Sequence, residues 1–174
     1  MNRLEGKAAL VTGAAGAIAG ETARLFAAEG ASVLISGRDQ ARGDAVLGAI
    51  RDAGGTAEFV TADLRDAGAC DALVDETVKR LGRIDVLVNN AGQGKGGDLD
   101  TLTPEDILEH ANVLQMGHFR FTQAVVPHMR KQRWGRIIEI NALAGTIPTP
   151  EGIPSVINRA SCIALSRSLG MSLP

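Results

Sequence analysis

Short β-branched runs alternate with longer stretches of helical periodicity along this chain, and that alternation constrains its fold more than any other feature. Lys7–Thr12 (KAALVT) reads as a strand running into a glycine-rich turn. Behind the turn Ile18, Thr22, Leu25 and Phe26 recur at helical spacing, and Gly30 stops the helix. Ser32–Ser36 is a second strand, Asp39 to Ala53 a helix ended by Gly54-Gly55, and Thr56–Ala62 a third strand. Cys70, Leu73, Val74, Val78 and Leu81 make the apolar stripe of the next helix, and Ile84–Val88 is a fourth, buried strand. Strands joined through helices pair in parallel, so the pattern predicts an α/β fold built from βαβ units.

The second half continues the pattern with one interruption. AGQGKGGD after Asn90 is too glycine-dense for a helix and reads as a mobile loop near a ligand. Thr103-Pro104-Glu105-Asp106 has the chemistry of a helix start, with a hydroxyl N-cap, proline at the first helical position and acids in the first turn. A long helix is expected from there to Arg130, broken near Gly117; Gly135–Ile140 is a fifth strand, and Ser155 to Leu173 is helical. With no repeat and no linker, residues 1–174 are expected to form one domain.

Composition removes several functions. A net charge of −2 argues against nucleic acid and a polybasic membrane contact, and 45% hydrophobic residues exclude a disordered chain. No signal-peptide pattern and no apolar run of the ~18 residues a membrane span needs is present, so a soluble, cytoplasmic protein with a small-molecule substrate is expected. Cys70 and Cys162 form no CxxC, so neither a disulfide framework nor a metal site is suggested. His110, His118 and His128 lack ligand spacing and read as surface or interface histidines, and Lys95 as a loop lysine that faces substrate or solvent. Tyrosine is absent, which closes any mechanism that needs a phenol as acid.

The turn Thr12 to Gly20 (TGAAGAIAG) joins a strand to a helix, where backbone N–H groups and the helix dipole hold a pyrophosphate. Asp63 falls at the end of the third strand, Asn89-Asn90-Ala91-Gly92 at the end of the fourth and Asn141 near the end of the fifth. Ligands of such sheets bind at those carboxyl ends.

Together the TG turn, TADL (Thr61–Leu64), LVNNAG (Leu87–Gly92), GRII (Gly135–Ile138) and RASCIALSRSL (Arg159–Leu169) resemble the short-chain dehydrogenase/reductase family in order and spacing, over nearly the whole chain. The resemblance implies a doubly wound, Rossmann-type parallel sheet flanked by helices, lacking the last family strands, with hydride transfer between a nicotinamide cofactor and a carbonyl or secondary alcohol. It would place Gly13, Ala14, Ala15, Gly16, Ala17 and Ile18 at the pyrophosphate, Asp63 and Leu64 at the adenine, and Asn90, Ala91 and Gly92 at the adenosine ribose. Ala17 and Ala19 stand where the family's TGxxxGxG has glycines, each adding a methyl where a phosphate or the helix backbone approaches. Gly37-Arg38 offers no carboxylate for a ribose 2′-OH but does offer a guanidinium for a 2′-phosphate, which favours NADP over NAD; the alternative is that Arg38 is a solvated flank of the next helix.

At the catalytic positions the resemblance fails. Where the family has Asn, Ser, Tyr and Lys, this sequence has Leu114, Ala142, Ser155 and Arg159. Arg159 keeps a positive charge that can hold ribose hydroxyls but gives up no proton, and Ser155 is a far weaker acid than a phenol. Asn112 and Asn141 are polar neighbours, with Asn141 expected to point to the opposite face of its strand. The expectation is an oxidoreductase with a degenerate site; the alternative is a silent protein that keeps the fold for binding or regulation. The family continues beyond the equivalent of Pro174, which would leave Gly135–Ile140 as an isoleucine-rich edge. The chain is then a fragment, a truncated product or an oligomer that covers the edge, and the helices around residues 112–132 and 155–172 are the expected homo-oligomer contact.

Overall fold

The computed structural model describes residues 2–14, 16–92, 94 and 96–173, so the expectations placed on Ala15 and Lys95 lie outside the described residues. Five strands, β1 (Ala8–Thr12), β2 (Ser32–Gly37), β3 (Thr56–Thr61), β4 (Val86–Asn89) and β5 (Arg136–Glu139), form one sheet in the order β3-β2-β1-β4-β5. Every pair is parallel; Leu10 lies opposite Leu34 on one side and Leu87 on the other.

Alternation along the strands divides the core into two layers. Ala9, Val11, Val33, Ile35 and Val88 face α1 (Ala17–Ala28) and α2 (Gln40–Asp52), while Leu10, Leu34 and Leu87 face α3 (Ala69–Leu81) and α5 (Gln115–Gln132). Helices on both faces make the sheet doubly wound. Ala19, Ala23 and Ala27 recur every four residues on the buried face of α1, and their small side chains let the helix close tightly on the sheet. Ala19 is thus absorbed into the core, where the family pattern has a glycine.

The long helix predicted after Thr103 divides elsewhere than expected. α4 (Pro104–Val113) starts from a capping box between Thr103 and Asp106, and α5 begins at Gln115. The division falls at Leu114, whose ψ of −68° turns the chain slightly while the N–H···O ladder continues from Leu114 to His110 and from His118 to Leu114. Gly117 is buried inside α5, its carbonyl beside the Cys70 thiol. A short 3₁₀ turn, Leu143–Gly145, precedes α6 (Ile153–Ser172). His118 is 2% exposed, so the expectation of a surface histidine is corrected: it is fixed under β5 by Glu139.

One buried carboxylate ties the start of the sheet together. Asp85, fully buried, accepts the Ala8 N–H at 2.9 Å and both arms of the Arg83 guanidinium at 2.6 and 2.7 Å. Asp85→Ala orphans a buried N–H at the head of β1, and an expected loss of about 2–3 kcal/mol should appear as a lower urea midpoint.

Candidate functional site

The carboxyl ends of the strands open onto a cleft of about 930 Å³. Its floor is built by Thr12, the last residue of β1. The Thr12 hydroxyl donates to Val88 O at 3.1 Å and accepts the N–H groups of Asn90 and Ala91, each at 3.1 Å, while Asn90 Nδ2 donates to Thr12 O. The first and fourth strand ends are thereby clamped side by side. Gly13 follows with φ of +71°, and a Cβ there would lie 2.9 Å from Ala91 Cα, so glycine alone fits the turn.

Above the clamp stands the N-terminus of α1. Its N-cap is Gly16, which offers no side-chain acceptor, and its first turn holds no acid. The unsatisfied first-turn N–H groups and the positive end of the helix dipole therefore remain for a ligand, with Ala17 and Ile18 lining the cleft beside them. Ala14 behaves differently from the expectation. It is fully buried, and its N–H is spent on Ser36 O at 2.9 Å.

The far rim carries three guanidinium groups, Arg38, Arg42 and Arg65. Asp39 caps α2 by accepting Arg42 N–H at 3.0 Å and pairs with the Arg42 side chain at 3.5 Å. Arg65 grips Asp63 through Nε, Nη2 and its backbone N–H, and these bonds hold the Asp63 carboxyl down at about 2. Among the described residues Arg38 has no such carboxylate pair. Leu64 is buried at the edge of the same wall.

At the other end Ala142, Arg159, Leu114 and Ser155 take separate places. Ala142 is exposed and lines the cleft. Arg159 lines it too, half-buried; desolvation pulls its pKa below the ordinary guanidinium value, and Nη1 donates to Ile140 O at 2.9 Å. Leu114 is fully buried and its Cδ1 would lie 2.3 Å from a Cβ on Gly92, so it packs beneath the NNAG turn rather than into the cleft. The Ser155 hydroxyl lies 3.5 Å from where a Cβ on Gly94 would stand, beside the cleft. Asn141 serves the backbone, donating to Arg159 O and accepting Ala142 N–H. Asn112 donates to Arg65 O and accepts from Arg120, fixing the loop after β3 to α5.

Glu109, His110 and Val113 also line the cleft, and reading the sequence for spacing alone missed them. The available signal was the helix start at Pro104, which sets residues 109, 110 and 113 on one helical face. Among the described residues no group of carboxylates, histidines and cysteines is arranged to hold a metal ion, and no helix is long and apolar enough to cross a membrane.

A doubly wound parallel sheet with an uncapped helix N-terminus at its central crevice defines a Rossmann-type α/β protein. The chain belongs to the short chain dehydrogenase family, which it matches over residues 7–173. It is 33% identical to an uncharacterized oxidoreductase of Thermotoga maritima across 96% of its own length and 66% of the relative's. It is 34% identical to the 3-oxoacyl-[acyl-carrier-protein] reductase of the same organism, covering 98% of this chain and 70% of that one. In structure it resembles a 7α-hydroxysteroid dehydrogenase complexed with NADH and 7-oxo glycochenodeoxycholic acid, with a TM-score of 0.95 at 31% identity over 98% of this chain and 67% of that one. A metagenomic short-chain oxidoreductase in complex with NADP matches with a TM-score of 0.93 at 34% identity, over 98% and 77% of the two chains. The chain thus spans about two thirds of the length of these relatives.

Proposed function

We propose that this chain binds NADP in the cleft and acts as an oxidoreductase on a carbonyl or secondary alcohol, with its usual catalytic side chains replaced. The observation that carries the reading is the acid-free, uncapped N-terminus of α1 at the cleft floor, which fits a pyrophosphate. Gly13, Gly16, Ala17 and Ile18 would hold it, Asp63 and Leu64 the adenine, and Asn90, Ala91 and Gly92 the adjacent ribose. Ala14 contributes only through the turn it stabilises. The bound nicotinamide would supply or accept the hydride. Arg159 would anchor its ribose as a fixed cation, with Ser155 beside the proton path.

NADP is favoured over NAD because Arg38 lines the rim and touches Asp63 only through longer-range attraction, whereas Arg42 and Arg65 are held in close ion pairs. NADPH at a hundred times its Kd should stabilise the protein by about 2.7 kcal/mol, and NADH at the same concentration by clearly less. Arg38→Ala should cut the preference for NADPH about tenfold, a loss of about 1.4 kcal/mol that thermal shift and fluorescence titration will read. No stabilisation by either cofactor at millimolar concentration would refute the reading.

A second reading, a silent binding or regulatory protein, is favoured by the methyl of Ala142 and the buried Leu114 at two of the four positions. We also propose that copies pair through residues 112–132 and 155–172, where Met116 and Ile157 lie exposed.

A further inference from the structure

We propose that Arg159 is a carboxylate-binding site in this cleft and that the carbonyl compound reduced there is an oxo acid, an inference that rests on the oxidoreductase reading above. Among the described residues four guanidinium groups line the cleft. Arg38, Arg42 and Arg65 are exposed, and the last two are held in close ion pairs with Asp39 and Asp63. Glu109, the third acid lining the cleft, also acts on Arg65. Arg159 differs on both counts: it is half-buried, and among the described residues no carboxylate pairs with it.

The residue is braced before any ligand arrives. Nη1 donates to Ile140 O at 2.9 Å, and Asn141 Nδ2 donates to Arg159 O at 3.0 Å. A Cβ on Gly145 would stand 3.0 Å from that same carbonyl, so the 3₁₀ turn packs directly on the α6 backbone. Little freedom is left to lose on binding. A guanidinium offers N–H donors on every nitrogen and no acceptor, and Ile140 O takes one of them. Nη1 keeps a second N–H for a ribose hydroxyl, and the Nε–Nη2 edge remains as a planar fork that matches the two oxygens of a carboxylate. Desolvation, opposed by the Cys162 thiol one turn along α6, pulls the guanidinium below its ordinary pKa. A cation that costs free energy to bury gains most from an anion brought to it. Ile140 and Ala142 beside it line the cleft with apolar side chains, which strengthens that attraction. The carbonyl carbon takes the hydride that NADPH supplies and its oxygen takes a proton from water. The oxo acid leaves as a hydroxy acid and NADPH as NADP⁺, with the carboxylate unchanged in the Arg159 fork.

The test uses the full chain and matched probes: pyruvate with pyruvamide, and acetoacetate with acetoacetamide, each amide filling the space of its acid without the charge. In reduction at saturating NADPH at least one acid should exceed its amide about thirtyfold in kcat/KM, the size expected of hydrogen bonds to a charged group. Arg159→Gln should bring that ratio close to one, and Arg159→Lys should keep part of it. A ratio taken within one variant does not depend on how tightly that variant holds NADPH. Binding gives a second reading: with the protein saturated by NADP⁺, the preferred acid should raise Tm and its amide should not. Where the wild type turns nothing over, this thermal shift decides alone. Acids and amides handled alike, or a preference that survives in Arg159→Gln, overturns the proposal. So does an acid that competes with NADP⁺ instead of adding to the loaded protein, since the guanidinium would then face a cofactor phosphate. Failure to bind NADPH refutes the oxidoreductase reading, whereas NADPH binding with acids and amides handled alike refutes only this inference.

Discussion

Replacing Glu139 by leucine should cost the fold about 4 kcal/mol near pH 6 but only about 1 kcal/mol near pH 10. Glu139 Oε2 lies 2.5 Å from His118 Nδ1 in a site where the histidine is 2% exposed, and its Oε1 accepts Asn89 Nδ2 at 2.7 Å. Burial works against charge on His118, but its hydrogen bonding to Cys162 on α6 and to the Glu139 carboxylate on β5 outweighs it. This raises the imidazole from the ordinary 6.5 to about 9. A group whose pKa is raised by folding contributes its full stability below the unfolded value, here about pH 6.5, and loses it as pH climbs through 9. At about 1.4 kcal/mol per unit this is about 3 kcal/mol, and the lost Asn89 bond adds about 1 kcal/mol at every pH. Urea unfolding followed through the single Trp134 reads both arms, because this ring sits just ahead of β5 and stacks with Lys7 and Arg136. A cost independent of pH would show that His118 is neutral in the fold. The double variant His118→Leu with Glu139→Leu should be less destabilised than Glu139→Leu alone near pH 6, since no charge is then left buried without its partner.

How much of this was legible in the sequence depends on whether the information was local. The strands, their parallel pairing and the order β3-β2-β1-β4-β5 follow from apolar runs, helical spacing and the resemblance. The N-cap at Thr103 and the stop at Gly30, with φ of +92°, are written in three or four adjacent residues. Contacts between distant elements were not legible. Nothing near His118 in the chain announces Glu139 and Cys162, and nothing near His110 announces Asn158, because α6 and β5 meet α4 and α5 only through the tertiary fold. The same holds for Ala14, read as facing a pyrophosphate: whether a turn residue looks into a cleft or into the core depends on the close packing of α1. Leu114 is the reverse case. The sequence offers an apolar residue there, but only the structure shows its side chain filling the space under Gly92.

Ser155→Tyr together with Arg159→Lys should raise NADPH-dependent reduction of cyclohexanone about a hundredfold, about 3 kcal/mol off the barrier. Both positions lie on the first turns of α6, four residues apart, so a phenol at 155 and an ammonium at 159 stand on one helical face. Arg159 reaches the cleft with Nη1 tied to Ile140 O. Lysine there presents a compact ammonium that lowers the pKa of a neighbouring phenol and, unlike the guanidinium of Arg159, can also pass on a proton. The gain stays at the low end of general acid catalysis because Leu114 and Ala142 bring no polar side chain to assist the phenol. Ser155→Phe with Arg159→Lys fills the same space without a hydroxyl and should give no gain, which separates acid chemistry from repacking. No gain in a variant that still binds NADPH would mean that the pocket cannot seat a carbonyl at all, and the silent reading would then stand in place of the enzymatic one.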